Sequence, residues 1–187
     1  FNLKHTKMKK IIALSVATLL AFCSFSQWPS NVTIIDPGTS DSVIVKGDLA
    51  KGAPMSDLSW AWNSANACFP GTQSAKFKGN HVFFALTMPT QCEMKISVTP
   101  TDGNADLSIY AYRIGAAEYY LVPDLGSCIT CEADHKWDGN WKGKVQTSER
   151  KVSMQNPGKE HYNILIGVSG PASATSGTFS VKVKFEK

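Results

Sequence analysis

Gly177-Thr-Phe-Ser-Val-Lys-Val-Lys-Phe185 decides the fold class. Phe179, Val181, Val183 and Phe185 fall at every second position, and Ser180, Lys182 and Lys184 fill the places between. Successive strand side chains point to opposite faces, so this run predicts a strand with one face in a core and the other in water. Working back along the chain, the same grammar predicts strands at Val32 to Ile35, Ser42 to Lys46, His81 to Thr87, Glu93 to Thr99, Asp106 to Arg113, Glu118 to Val122, Arg150 to Met154 and His161 to Val168. Turn formers separate these runs at Pro37-Gly38, Pro100 to Asn104, Asp138-Gly139-Asn140, Asn156-Pro157-Gly158 and Gly170-Pro171. No stretch carries an amphipathic helical period, so the chain reads as all-β, a sandwich or barrel. Residues 47–80 are the least regular part, where Leu58 to Trp62 suit one helical turn or a covering loop.

With 187 residues, 43% of them hydrophobic and 18% charged, the composition is that of a folding chain, and the length favours one domain. Its first part is a different kind of segment. From Met8 the order is Lys9-Lys10, an apolar run from Ile11 to Phe22, then Cys23-Ser24-Phe25-Ser26-Gln27, which is the order of a secretory signal. The apolar run falls short of the roughly 20 residues a membrane-crossing helix needs. Cleavage between Ser26 and Gln27 is therefore expected, leaving 27–187 as the mature β-sandwich domain in the periplasm or outside the cell. Lipidation at Cys23 is disfavoured because Phe22 stands where a small residue is required.

Loss of residues 1–26 changes the charge reading. Four lysines, Lys4, Lys7, Lys9 and Lys10, leave with the segment and no acid does, so 19 basic residues become 15 against 15 acidic. A formally neutral chain whose basic clusters are the short Lys142-Gly143-Lys144 and Arg150-Lys151, each near acids, lacks the field that nucleic acid binding needs.

Export leaves Cys68, Cys92, Cys128 and Cys131, an even set in a compartment where disulfides persist. Of the three connectivities, Cys68–Cys92 with Cys128–Cys131 is favoured, because the second pair is close in sequence and the first ties a loop to a strand start. Glu132 after the second cysteine excludes a haem attachment, and nothing helical follows to make a thioredoxin-type site. Zinc would need Asp134, His135 or more distant ligands beside the two thiols.

The stretch from Lys76 to Phe185 resembles the bacterial pre-peptidase C-terminal domain. The resemblance is carried by Val82 to Leu86, Met94 to Pro100, Gly103 to Tyr110 with its Asp106-Leu107-Ser108-Ile109-Tyr110 strand entry, and Asn156-Pro157-Gly158 ahead of Tyr162 to Val168. It implies a jelly-roll-like antiparallel β-sandwich over about 76–186 and an accessory or binding role without chemistry of its own. Four cysteines, and the lack of a catalytic domain ahead of the module, depart from the family's pattern.

Two clusters stand out as sites. Asp102, Asn104 and Asp106 alternate around Gly103, which suits oxygen ligands of calcium as well as ordinary turn chemistry. Trp137-Asp138-Gly139-Asn140-Trp141, followed by Lys142, sets two indoles across a polar turn, a platform for a sugar ring or a partner surface, or else caps on the ends of the core. Trp60 and Trp62 form a second aromatic pair. His81 and His161 open predicted strands, where a solvated imidazole is expected. Elbow, zincin and phosphate-loop motifs are absent from the sequence, so no catalytic residue is singled out. The expected function is a secreted binding module for a glycan, cell surface or protein partner. The alternatives are a small hydrolase with carboxylates assembled in space, such as Asp134 and Asp138, or a structural protein that assembles through sheet edges.

Overall fold

The computed structural model describes residues 27–101, 105–140 and 142–187, so the expected leader with Cys23 lies outside the described residues. Ten strands follow in chain order: β1 (Val32–Ile34), β2 (Ser42–Asp48), β3 (Ala53–Pro54), β4 (Asn80–Met88), β5 (Cys92–Pro100), β6 (Ser108–Ile114), β7 (Thr130–Asp134), β8 (Arg150–Asn156), β9 (Tyr162–Ser169) and β10 (Thr178–Glu186). They build two sheets. One is six-stranded, ordered β1-β4-β9-β6-β7 with β3 also on β4, and the other runs β2-β10-β5-β8. All pairs are antiparallel except β1 with β4, which is parallel.

Between the sheets lies the core that alternation predicts. Phe179, Val181 and Val183 of β10 and Met94, Ile96 and Val98 of β5 meet Val82, Phe84 and Leu86 of β4 and Ile164, Ile166 and Val168 of β9. The register sets Val181 opposite both Val45 and Val98, so the inward faces line up across the sheet.

A second core occupies the other face of the six-stranded sheet. Phe83 and Ala85 of β4, Tyr110 and Tyr112 of β6 and Leu165 of β9 point outward, and the irregular stretch before β4 covers them with Leu58, Trp60, Ala61, Phe69 and Phe77. Residues 60–63 make one helical turn, so the covering-loop and helical-turn expectations for this stretch are both met. Tyr110 lies across Gly167, its cross-strand neighbour: a Cβ there would meet the ring at 2.1 Å.

Three expectations need correction. His81 is buried rather than solvated: Nε2 donates to the Phe77 carbonyl at 2.8 Å and Nδ1 accepts from the Tyr110 hydroxyl at 2.9 Å. Glu118 to Val122 is no strand. That stretch turns at Gly115, whose carbonyl accepts the Glu118 N–H at 3.0 Å, and Asn163 holds the Ala116 and Glu118 carbonyls at 3.1 and 2.9 Å. The chain instead forms β7, which carries no apolar alternation.

The third correction is the disulfide pattern. Cys68 pairs with Cys131, while Cys92 and Cys128 are free thiols. Cys92 belongs to the inter-sheet core and Cys68 packs on the opposite face of the six-stranded sheet, so that sheet stands between them. The chain bends at Ile129, whose N–H bonds the Arg113 carbonyl, and β7 begins at Thr130, so that Cys131 lies in the strand and Cys128 before the bend. With Cys131 bonded to Cys68, Cys128 has no partner left on its own face of the sheet. Burial raises the pKa of both free thiols, so neither is an activated thiolate.

Candidate functional site

The pairing of β6 with β7 aligns Ile109 with Asp134, which brings the entry to β6, the exit from β7 and the approach to β8 to one end of the sandwich. There they frame a cleft of about 420 Å³. Its walls include Asp106, Trp137, Asp138 and Asn140, so the two clusters picked out in the sequence meet in one place. Lys136, Gln146 and Arg150 complete it, and sequence reasoning missed all three. Asp102, Asn104 and Trp141 lie outside the described residues, and Lys142, exposed in the following turn at φ 51°, is not part of the cleft wall.

Gln146 fixes the β7 exit from both sides. Its Oε1 accepts the Trp137 N–H at 2.7 Å and its Nε2 donates to the His135 carbonyl at 3.0 Å. Trp137 is held on its backbone and the residue is 37% exposed, whereas Trp60 is buried and Trp62 packs against the second core. The carboxylates are engaged with lysines. Lys76 pairs with Asp138 and holds its carboxyl below the usual range, first by hydrogen bonding and then by charge. Lys136 Nζ stands 3.8 Å from Asp106 Oδ2.

Arg150 is the unusual member. It is 3% exposed, and three main-chain carbonyls grip its guanidinium: Nε donates to Leu107 at 3.1 Å, and Nη1 to Thr147 at 2.8 Å and Glu149 at 2.7 Å. Burial pushes its pKa down, and the charges of Asp134 and Asp106 push it back up. Neither acid forms an ion pair with it among the described residues.

Among the described residues no three His, Cys, Asp or Glu side chains converge as a metal site, and Cys131, bound to Cys68, is unavailable to zinc. A larger groove of about 870 Å³ opens between the β1 and β2 edges, over the backbone of His81 to Phe84. None of the residues singled out as ligand-binding or metal-binding in the sequence lines it.

No protein-family model matches the chain, and no curated protein matches it. Among solved structures it is similar to PliG, a periplasmic inhibitor of g-type lysozyme from Aeromonas hydrophila, at 10% identity and a TM-score of 0.43 over 83% of this chain and 96% of that one. It is similar to CorA, a surface-associated copper-binding protein of Methylomicrobium album BG8, at 13% identity and a TM-score of 0.49 over 83% and 98% of the two chains. The pre-peptidase C-terminal domain of Bacillus anthracis collagenase matches at 11% identity and a TM-score of 0.39 over 83% and 97%. All three likenesses are loose, and the last includes the family that the Lys76 to Phe185 stretch resembles.

Proposed function

We propose that this chain is an exported, non-catalytic binding module whose ligand, a glycan, sits in the loop-end cleft. The observation that carries this reading is the convergence of an exposed indole, Trp137, with the polar side chains of Asp106, Asp138, Asn140 and Gln146. An indole face stacks on a sugar ring while carboxylates and amides take its hydroxyls. The expected secretory signal and the Cys68–Cys131 bridge support an extracellular or periplasmic setting. Screening the protein against a polysaccharide panel tests the reading. Trp137→Ala is expected to abolish retention, and a panel on which neither the parent chain nor the variant is retained counts against it.

The hydrolase alternative is weaker at this cleft. Glycosidase chemistry needs one carboxyl raised so that it stays protonated, and Lys76 drives Asp138 the other way. Assembly through sheet edges has one observation in its favour. β2 is a seven-residue edge strand with its third residue, Ile44, 62% exposed, and a dimer that dissociates on Ile44→Lys substitution would support it. Weak calcium stabilisation through Asp102, Asn104 and Asp106 is a further element of the proposal, read from the melting temperature in chelator against millimolar calcium; no shift rejects it.

A further inference from the structure

A buried guanidinium without a carboxylate beside it is costly, because taking a charge out of water is offset only by close opposite charge and hydrogen bonds. Arg150 feels the charges of Asp134 and Asp106 but forms an ion pair with neither among the described residues. Its Nε and both protons of Nη1 are committed to the Leu107, Thr147 and Glu149 carbonyls, which leaves Nη2 with no hydrogen-bond partner among the described residues. Arg150 lines the loop-end cleft, so Nη2 is the part of the guanidinium left over for a ligand there. The nearby acids are occupied elsewhere. Asp106 is turned to Lys136 at 3.8 Å, and Asp134 Oδ2 accepts the Lys151 N–H at 2.8 Å.

We infer that Arg150 Nη2, with Lys136 as a second cation, takes the carboxylate of an acidic sugar whose ring lies against Trp137, so that the ligand is a hexuronate-containing glycan. This rests on reading the loop-end cleft as the binding site, and narrows its ligand class. The three carbonyls hold the guanidinium plane rigid before the ligand arrives, so little side-chain freedom is lost on binding. Charge complementarity favours an oxyanion over a neutral hydroxyl, and the two N–H groups of Nη2, unpartnered among the described residues, suit an acceptor of that kind.

Calorimetry and tryptophan fluorescence with trigalacturonate, its methyl ester and neutral trigalactose test the inference without touching the protein. The free acid is expected to bind about 10- to 100-fold more tightly than the ester, the value of a charge-assisted hydrogen bond. Arg150→Gln, checked for folding by its melting curve, is expected to lose that preference, and Lys136→Gln to reduce it. Equal binding of acid, ester and neutral sugar, abolished by Trp137→Ala, overturns the inference and leaves the cleft reading intact. Binding of inorganic phosphate but of no uronate overturns the choice of a carboxylate sugar. If none of the sugars binds, both readings fall.

Discussion

The two sheets are made of the same kind of strand and differ in what lies on their second face. In the four-stranded sheet β10 alternates buried and open positions along its length, and Lys182, Lys184 and Lys95 stand on the water side. In the six-stranded sheet β4 is buried at every position but Thr87, and β9 at every position but Tyr162. Covering a sheet on both sides turns an alternating pattern into a nearly continuous apolar one, because neither face can then be polar. The covered sheet also presents its end to the cleft, since β6 and β7 both belong to it. Rigidity at the site therefore depends on a layer that has almost no secondary structure of its own.

The largest effect should come from cutting that layer loose. Cys68 sits in the cover and Cys131 in the edge strand β7, at a sequence separation of 63. Closing a loop of this length restricts the unfolded chain by about 4 kcal/mol. Cys131→Ser is expected to lower stability by about that amount in urea, and to broaden the Trp137 fluorescence response at the cleft. A loss below about 1 kcal/mol would mean that the cover is held by packing alone.

Next comes the contact that lets the covered face be filled. Tyr110 passes over Gly167, and a methyl group there would meet the ring at 2.1 Å, forcing the tyrosine off His81. Gly167→Ala is expected to cost about 3 kcal/mol, at the upper end of overpacking penalties. The exposed Gly139, with nothing within 4 Å of its Cβ position, is the control and should tolerate alanine.

How much of this was legible follows from where the periodicity lives. Phe179 to Phe185 reads as a strand because one face is wet, and Met94 to Val98 reads the same way. The cover carries no period: Trp60, Phe69 and Phe77 are spread through turns and become a layer only once β4 and β6 supply a surface for them. Strand β7 escaped because Thr130 to Asp134 is an edge segment with two acids and no alternation. Its absence hid the cleft, since the Ile109–Asp134 pairing is what carries Trp137 to Asp106. The two clusters stand apart in the sequence, and their meeting depends on register. Arg150 had only the appearance of a surface basic residue next to Lys151, and its burial comes from the Leu107 carbonyl, 43 residues away.

The histidine in the covered core adds a pH dependence between about pH 4 and 6.5. Burial lowers the His81 pKa from about 6.5 to about 4, and its Nε2 proton is committed to the Phe77 carbonyl. A folded-state pKa below the unfolded value means that stability is complete above pH 6.5 and is lost as the pH falls toward 4, because the unfolded chain takes up the proton first. The loss should reach about 2 kcal/mol by pH 5, read as a falling urea midpoint, and His81→Gln should flatten the curve between those limits. A midpoint independent of pH in the parent chain would show that the imidazole is reached by water.

The smallest effect is expected on the open face, where it serves as the measure of the others. Lys182 is exposed, lies between Ile44 and Ser97 in the register, and forms no ion pair among the described residues. Its neighbours Lys184 and Lys95 share Glu186, at 2.8 and 2.5 Å, which pulls that carboxyl down to about 2. Exposed pairs of this kind contribute little, because water and salt screen them. Lys182→Thr keeps a good strand former and is expected to move stability by less than about 0.5 kcal/mol at any salt concentration. A larger loss would mean that the outer face of the four-stranded sheet is covered in solution by another surface, and the contrast between the two sheets would then be one of partner rather than of cover.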